Sequence, residues 1–154
     1  MSLMKYGPFS LLATVEVPYN PLLYVAEENV VAGRLFSGIG ESLQKRLPQI
    51  RAMVTERATI ELWTARIYVN NENLQALDQV GSLYVALPHL QYILEHSEHA
   101  RLVPETSRIT CYIRPDDGNP LQVQVKNSPQ GFFMGQQSRP DFIWGVGSIF
   151  LVTR

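Results

Sequence analysis

RITCYIRPDDGNPLQVQVK, residues 108–126, is the stretch that decides the fold. Apolar and polar residues alternate at 109–113 and again at 121–125, and the segment between them is dense in turn formers. Antiparallel strands must bury the same face, because a slip of one residue inverts every side chain. Pairing Ile113 with Leu121 places Cys111 opposite Val123. The segment therefore predicts a hairpin with an apolar face and a polar face in contact with water.

Three more segments have the patterns of strands, namely Phe9–Val17, Thr59–Asn70 and Phe142–Thr153. In the first, alternate residues from Leu11 to Val17 are apolar, which predicts one buried face. The last segment is apolar on both faces. That pattern is typical of a central strand, or of a strand that a partner covers.

Helical periodicity is present at residues 27–46, 72–80 and 88–98. In the first of these segments, apolar residues recur at every fourth position: Val31, Leu35, Ile39 and Leu43. Three glycines interrupt it, and each costs about 1 kcal/mol relative to alanine inside a helix. They leave open a break near Ser37 or a close packing contact.

These two periodicities predict the α+β class, with a mainly antiparallel sheet of four to six strands covered on one face by two or three helices. The length of 154 residues suits a single α+β domain spanning 1–154. We expect an N-terminal arm at residues 1–8 and a long loop at residues 127–140, each boundary being good to about two residues. Loops of that length are often functional or mobile.

Composition excludes several protein classes. The chain has 13 Lys and Arg against 14 Asp and Glu, and 45% of its residues are hydrophobic, which argues against disorder. The only cysteine can form no disulfide within the chain. No run of about 18 apolar residues could span a membrane, and the first residues do not form a secretory signal. We therefore expect a cytoplasmic protein, or part of a particle assembled in the cytoplasm, with no membrane partner.

The strongest metal candidates are His96 and His99, which would share one face of a helix. Glu95 and Glu98 lie beside them, but the histidine pair flanking a glutamate at the zinc-protease spacing is absent. The pattern indicates a solvated helix end, so we expect no metal and no cofactor.

Other catalytic patterns are weak. Cys111 falls in the apolar phase of its strand and is interpreted as a core residue. Asp116 and Asp117 lie in a turn, where adjacent carboxylates do not converge on one substrate atom. The sequence contains no phosphate-binding loop and no G-x-S-x-G motif. The sequence therefore favours a protein without catalytic activity.

Basic residues gather in one segment, which is the weak nucleic-acid candidate: Lys45, Arg46, Arg51 and Arg57. Phosphate contacts require such residues. However, Glu41 and Glu56 interleave with them, and no alternation of aromatic and basic residues predicts a surface for base stacking. Nucleic acid is therefore not an expected partner.

Aromatic and apolar residues outside an obvious core position predict a contact surface. The interface candidates are Tyr19, Tyr24, Phe132, Phe133, Ile149 and Phe150. They favour a non-enzymatic structural or assembly subunit that associates with copies of itself, and with other subunits of a larger assembly such as a virus or phage particle. The alternative is a small-molecule-binding domain or enzyme with a pocket between helix and sheet. A second alternative is a nucleic-acid-associated accessory protein.

Overall fold

The computed structural model describes residues 5–30, 35–54, 56–101 and 108–154. The described strands are β1 (Lys5–Tyr6), β2 (Phe9–Val17), β3 (Asn20–Val25), β4 (Phe36–Ile39), β5 (Arg51–Val54), β6 (Ala58–Ala65), β7 (Ile109–Ile113), β8 (Leu121–Ser128), β9 (Gly131–Gln136) and β10 (Ile149–Thr153). The helices are α1 (Ala26–Asn29), α2 (Glu41–Gln44), α3 (Asn71–Leu77), α4 (Leu87–His96) and α5 (Glu98–Arg101), with a 3-10 turn at Leu47–Gln49.

Eight of the described strands form one mixed sheet in the order β1-β2-β6-β10-β7-β8-β9-β4, and β3 pairs with β5 in a separate two-stranded sheet. The β10–β7 and β4–β9 pairs are parallel, and the other pairs are antiparallel. The predicted fold class is therefore wrong. The sheet is wider than four to six strands, it is mixed, and the helices that pack on it are short.

The prediction that differs most from the structure is the helix at residues 27–46, which do not form one helix. Within the described part, α1 ends at Asn29, the strand β4 begins at Phe36, and α2 occupies Glu41–Gln44. The glycines explain the difference, because a Cβ atom on Gly38 would lie 3.1 Å from the ring of Phe133 in β9. They permit a close approach between strands. Val31 and Gly33 lie outside the described residues.

The predicted hairpin is confirmed, because β7 and β8 pair Ile113 with Leu121 and Cys111 with Val123. The loop expected at residues 127–140 is wrong for residues 127–136. There β8 extends to Ser128 and turns into β9, where Phe132 and Met134 are buried. The expected N-terminal arm contributes β1, which pairs with the start of β2.

The large sheet buries both of its faces. One face, here called the aliphatic face, carries Ile60, Leu62 and Leu151, and α4 packs on it. The opposite face, here called the aromatic face, carries Trp63 and Phe150. Phe9 of β2 and residues of α3 complete that second core. The expectation that helices cover one face alone is therefore wrong.

A β-bulge in β2 lets this strand contribute to both cores. The register shifts between Leu11 and Ala13, so that Leu11 lies opposite Trp63 whereas Ala13 lies opposite Leu62. Leu12 is the extra residue and is partly exposed. Such a bulge reverses the side-chain alternation beyond it. Simple alternation from Leu11 to Val17 therefore predicted the strand but not its faces.

The polar side of the β7–β8 hairpin is not exposed to solvent, contrary to the prediction. Thr110 and Gln124 on that side are 1% and 7% exposed. Trp144, itself 1% exposed, donates its indole N–H to the Thr110 hydroxyl at 2.9 Å. The segment 142–148 thus covers the sheet before β10 begins at Ile149, seven residues later than the sequence predicts.

The segment 82–85 is inserted between the ends of β7 and β10. Ser82 exchanges backbone hydrogen bonds with Thr153 of β10, and Val85 donates to the carbonyl of Tyr112 in β7. Gly81 makes this insertion possible, because a Cβ atom there would lie 2.6 Å from the Thr153 carbonyl oxygen. The chain passes here from the aromatic face to the aliphatic face.

Candidate functional site

Large apolar side chains are exposed together at the end of the sheet where β6 finishes and β10 begins. The group, here called the apolar rim, consists of Ile67, Tyr68, Ile143 and Val146, whose exposed fractions are 57%, 72%, 62% and 56%. Contiguous exposed apolar groups mark surfaces of interaction. The rim is therefore the first candidate functional surface.

Two segments are held side by side to form the rim. Val69 and Trp144 exchange two backbone hydrogen bonds, of 3.1 and 2.8 Å. Their side chains are both 1% exposed and anchor the segments in the aromatic core. Gly147, with a φ of +91°, turns the chain into β10. The rim residues on either side of these two buried residues are exposed.

The predicted interface residues are dispersed. Ile149 and Phe150 are 3% and 1% exposed and lie in the chain's own two cores, so neither is on the described surface. Phe132 is buried as well, whereas Phe133 and Tyr19 are exposed. The doubly apolar pattern of the last strand therefore reflects a central strand.

Tyr24, the sixth interface candidate, is engaged within the chain. Its hydroxyl donates to Gln91 of α4 at 2.6 Å. Burial, with a smaller contribution from Glu95, raises the pKa of Tyr24 well above its ordinary value. The rim was not predicted, because Ile67 and Ile143 fall in segments whose patterns predict continuous strands. The available signal was the pair Gly145 and Gly147, since glycine inside a strand weakens it and often marks an irregularity.

The histidines do not converge on one point. His96 stacks on Tyr92 with ring centroids 4.1 Å apart, and its Nδ1 lies 3.0 Å from the Tyr92 carbonyl oxygen. His99 belongs to the next helix. His89 accepts a hydrogen bond from the Ala86 N–H, and burial lowers its pKa. In residues 5–30, 35–54, 56–101 and 108–154, no three His, Cys, Asp or Glu side chains are placed to hold a metal ion.

Each predicted phosphate-binding cation has an acidic neighbour. Lys45 lies 3.7 Å from Glu41, and Arg57 lies 3.2 Å from Glu16. Arg46 and Arg51 pair with Asp117 and Asp116, at 3.0 and 2.7 Å respectively. The last two ion pairs fasten the turn of the β7–β8 hairpin to the segment 46–51, so the acidic turn and the basic segment form one structural contact.

A cleft opens at the opposite end of the sheet, where β7 finishes. It has a volume of about 240 Å³. Its lining consists of Ile50, Arg51, Ala52, Tyr84, Val85, Ala86, Leu87, Ile113 and Arg114. The cleft lies between the start of α4 and the sheet, which is where the alternative reading of the sequence placed a pocket.

Cys111 is confirmed as a core residue. It is 1% exposed, and burial raises the pKa of its thiol to about 12. Because the thiolate is the nucleophilic form, this environment suppresses the reactivity of the sulfur.

Within the described part of the chain, none of the helices has the length and apolar character needed to cross a membrane. No model of a known protein family, no curated protein and no solved structure matches this chain.

Proposed function

We propose that this protein is a structural subunit that self-associates into a homo-oligomer through the apolar rim. The observation that supports the proposal is the exposure of four large apolar side chains on two adjoining segments. Single exposed apolar residues are common on monomers and require no explanation. Four of them on two hydrogen-bonded segments are less common, and they favour burial against a partner.

A second copy of the chain suits the chemistry of the rim. A two-fold symmetric dimer brings the same patch of both copies together, so that the patch must complement itself. Apolar side chains do this without a matching set of opposite charges. The formal net charge of −1 adds no strong repulsion between copies.

The border of the rim fits the same proposal. Two residues before Ile143, Asp141 forms an exposed ion pair with Arg139 at 3.3 Å. Interfaces commonly have an apolar centre and a polar periphery that carries both signs of charge. As part of this proposal, we place the assembly in the cytoplasm.

The proposal is tested by light scattering on the protein as it elutes from a sizing column, over a range of loading concentrations. The unmodified protein should have a mass that is at least twice the mass of the monomer. Ile143→Lys should elute as a folded monomer, because burying the ammonium group in an apolar contact is costly. Tyr68→Lys should behave in the same way.

The matched control is Leu22→Lys, which changes a side chain that is 74% exposed on β3, outside the rim. This variant should retain the oligomeric mass. A monomeric unmodified protein at every concentration would refute self-association. Dissociation by Leu22→Lys but not by Ile143→Lys would refute the rim as the interface.

A further inference from the structure

We infer that the cleft at the end of β7 binds a small organic monocarboxylate with an apolar body. The floor of the cleft is formed by buried apolar side chains: Ile50, Val85, Leu87 and Ile113. Arg51 and Arg114 are exposed members of the same lining. The cleft therefore combines an apolar interior with two guanidinium groups at its opening.

Arg114 is held in place without an acidic partner in the described residues. Its guanidinium carbon lies 4.3 Å from the centroid of the Tyr84 ring, in a cation–π contact. A guanidinium that stacks on a ring keeps its N–H donors in its own plane. They remain free to bind both oxygens of a carboxylate. Arg114 is thus oriented to bind a ligand, because no carboxylate of the described residues occupies its N–H donors.

Arg51 makes the local charge suit a monoanion. Its Nε and Nη2 atoms both contact one oxygen of Asp116, at 2.8 and 2.7 Å. The carboxylate of Asp116 offsets one of the two guanidinium charges, which leaves one positive charge at the opening. A single carboxylate would balance that charge, whereas a phosphate dianion would leave one negative charge unbalanced.

The interior determines the rest of the ligand. An apolar cavity of about 150 Å³ is large enough to take up benzene. The volume of about 240 Å³ here therefore has room for one ring together with its carboxylate. A purely inorganic anion would leave the apolar floor unfilled. An aromatic acid of the size of benzoate matches both parts of the cleft.

This inference does not rest on self-association. The strands β7 and β10 are parallel, the cleft lies beyond the last residue of β7, and the rim lies before the first residue of β10. The two surfaces are at opposite ends of the sheet. A rim variant such as Ile143→Lys should therefore bind the ligand as the unmodified protein does, so the two proposals can fail separately.

Benzoate is the probe, and binding is followed by NMR through the amide signals of the protein during titration. We expect saturable binding in the millimolar range, with the largest shifts at residues that line the cleft, including Leu87 and Ile113. Benzyl alcohol, which has the ring but no charge, and inorganic phosphate should each bind at least about tenfold more weakly.

Three variants decide the outcome. Arg114→Gln should weaken benzoate binding at least about tenfold, and Ala52→Leu, which fills the cleft, should abolish it. Arg139→Gln removes a guanidinium outside the cleft and should leave binding unchanged. Melting curves without ligand show that each variant is folded. Absence of benzoate binding, equal binding by Arg114→Gln, or equal binding of benzyl alcohol or phosphate would each overturn the inference.

Discussion

The middle of the large sheet presents aliphatic side chains on one face, whereas the other face of the same strands presents Glu61, Thr110 and Gln124 beside two tryptophans. Both faces exclude water to a similar degree. On the aliphatic face, stability comes from apolar burial, which has no directional requirement. On the aromatic face, each buried polar group needs a specific partner, because an unpaired one costs free energy.

Two of the partners on the aromatic face come from distant parts of the chain, and a third lies in the same strand. The indole of Trp63 donates to Glu61 at 3.3 Å, and Arg154 contacts the other oxygen of Glu61 at 2.5 Å. The Thr110 hydroxyl is satisfied by Trp144. The two faces should therefore respond differently to substitution. On the aliphatic face, any polar side chain should destabilise the protein. On the aromatic face, the loss of one particular hydrogen-bond partner should do so.

The largest expected difference is between two neighbouring positions of β8. Val123 is fully buried on the aliphatic face, and Val123→Asp should unfold the protein because a charge there has no partner. Gln122 lies on the aromatic face, where its side chain donates to Tyr112 and Asn71, and it is only partly buried. Gln122→Asp should remain folded, as judged by circular dichroism and urea unfolding. Equal tolerance at both positions would contradict the difference between the faces.

This difference also explains what the sequence could predict. Alternation at 109–113 and 121–125 defines an apolar face, so the hairpin and its register followed directly from the pattern. The pattern at 9–17 identified β2 as well, although the bulge at Leu12 carried Leu11 to the other face. Local alternation thus determines strands and their buried sides wherever the ladder is regular.

Alternation does not predict what covers the polar side of a strand. The contact between Trp144 and Thr110 joins residues 34 positions apart, and that between Arg154 and Glu61 joins residues 93 positions apart. The same limit applies to the cleft, whose lining comes from three separate segments. Arg51 and Arg114 were visible in the sequence, but only the tertiary fold brings them to one opening.

The second prediction concerns the buried carboxylate of Glu61, whose side chain is 3% exposed. Arg154→Ala removes its cationic partner and should lower the free energy of unfolding by about 2 kcal/mol. The value is moderate because the Arg154 side chain is itself 57% exposed, so that water can reach the vacated position. Urea unfolding measures the change.

Two further variants serve as controls for this measurement. Arg139→Ala breaks an ion pair in which both partners are largely exposed, and it should cost less than about 0.5 kcal/mol. Adding Glu61→Gln to Arg154→Ala should recover part of the loss, since the unpaired charge is removed. If Arg154→Ala is as mild as Arg139→Ala, Glu61 does not depend on its distant partner.

In the third prediction, the change in stability has opposite signs on the two faces. The side-chain amide nitrogen of Gln124 has no hydrogen-bond partner in the described residues, so Gln124→Leu should be neutral or stabilising by about 1 kcal/mol. Cys111→Ser places a hydroxyl among aliphatic side chains and should destabilise by about 1–3 kcal/mol. Thermal unfolding of the two variants provides the measurement. A clear loss of stability in Gln124→Leu would show that this amide has a role in the aromatic core.

The smallest expected effect is a dependence on pH within the layer that covers the aliphatic face. His89 lies in the first turn of α4, where its Nδ1 accepts a hydrogen bond from the Ala86 N–H at 3.4 Å. Burial lowers the pKa of His89 below its ordinary value of 6.5. The unfolded chain therefore binds the proton more readily than the folded protein does, so stability is highest above the ordinary pKa and declines as the pH falls toward the folded pKa. The urea midpoint should be lower at about pH 5.5 than at about pH 7.5.

His89→Gln should reduce this decline, because the glutamine side chain does not titrate. His99→Gln, in the neighbouring helix α5, is the matched control and should keep the decline of the unmodified protein. The side chain of His89 is partly exposed, so solvent screening keeps the effect below those of the preceding variants. If His89→Gln retains the full decline, the sensitivity to pH belongs to groups other than His89.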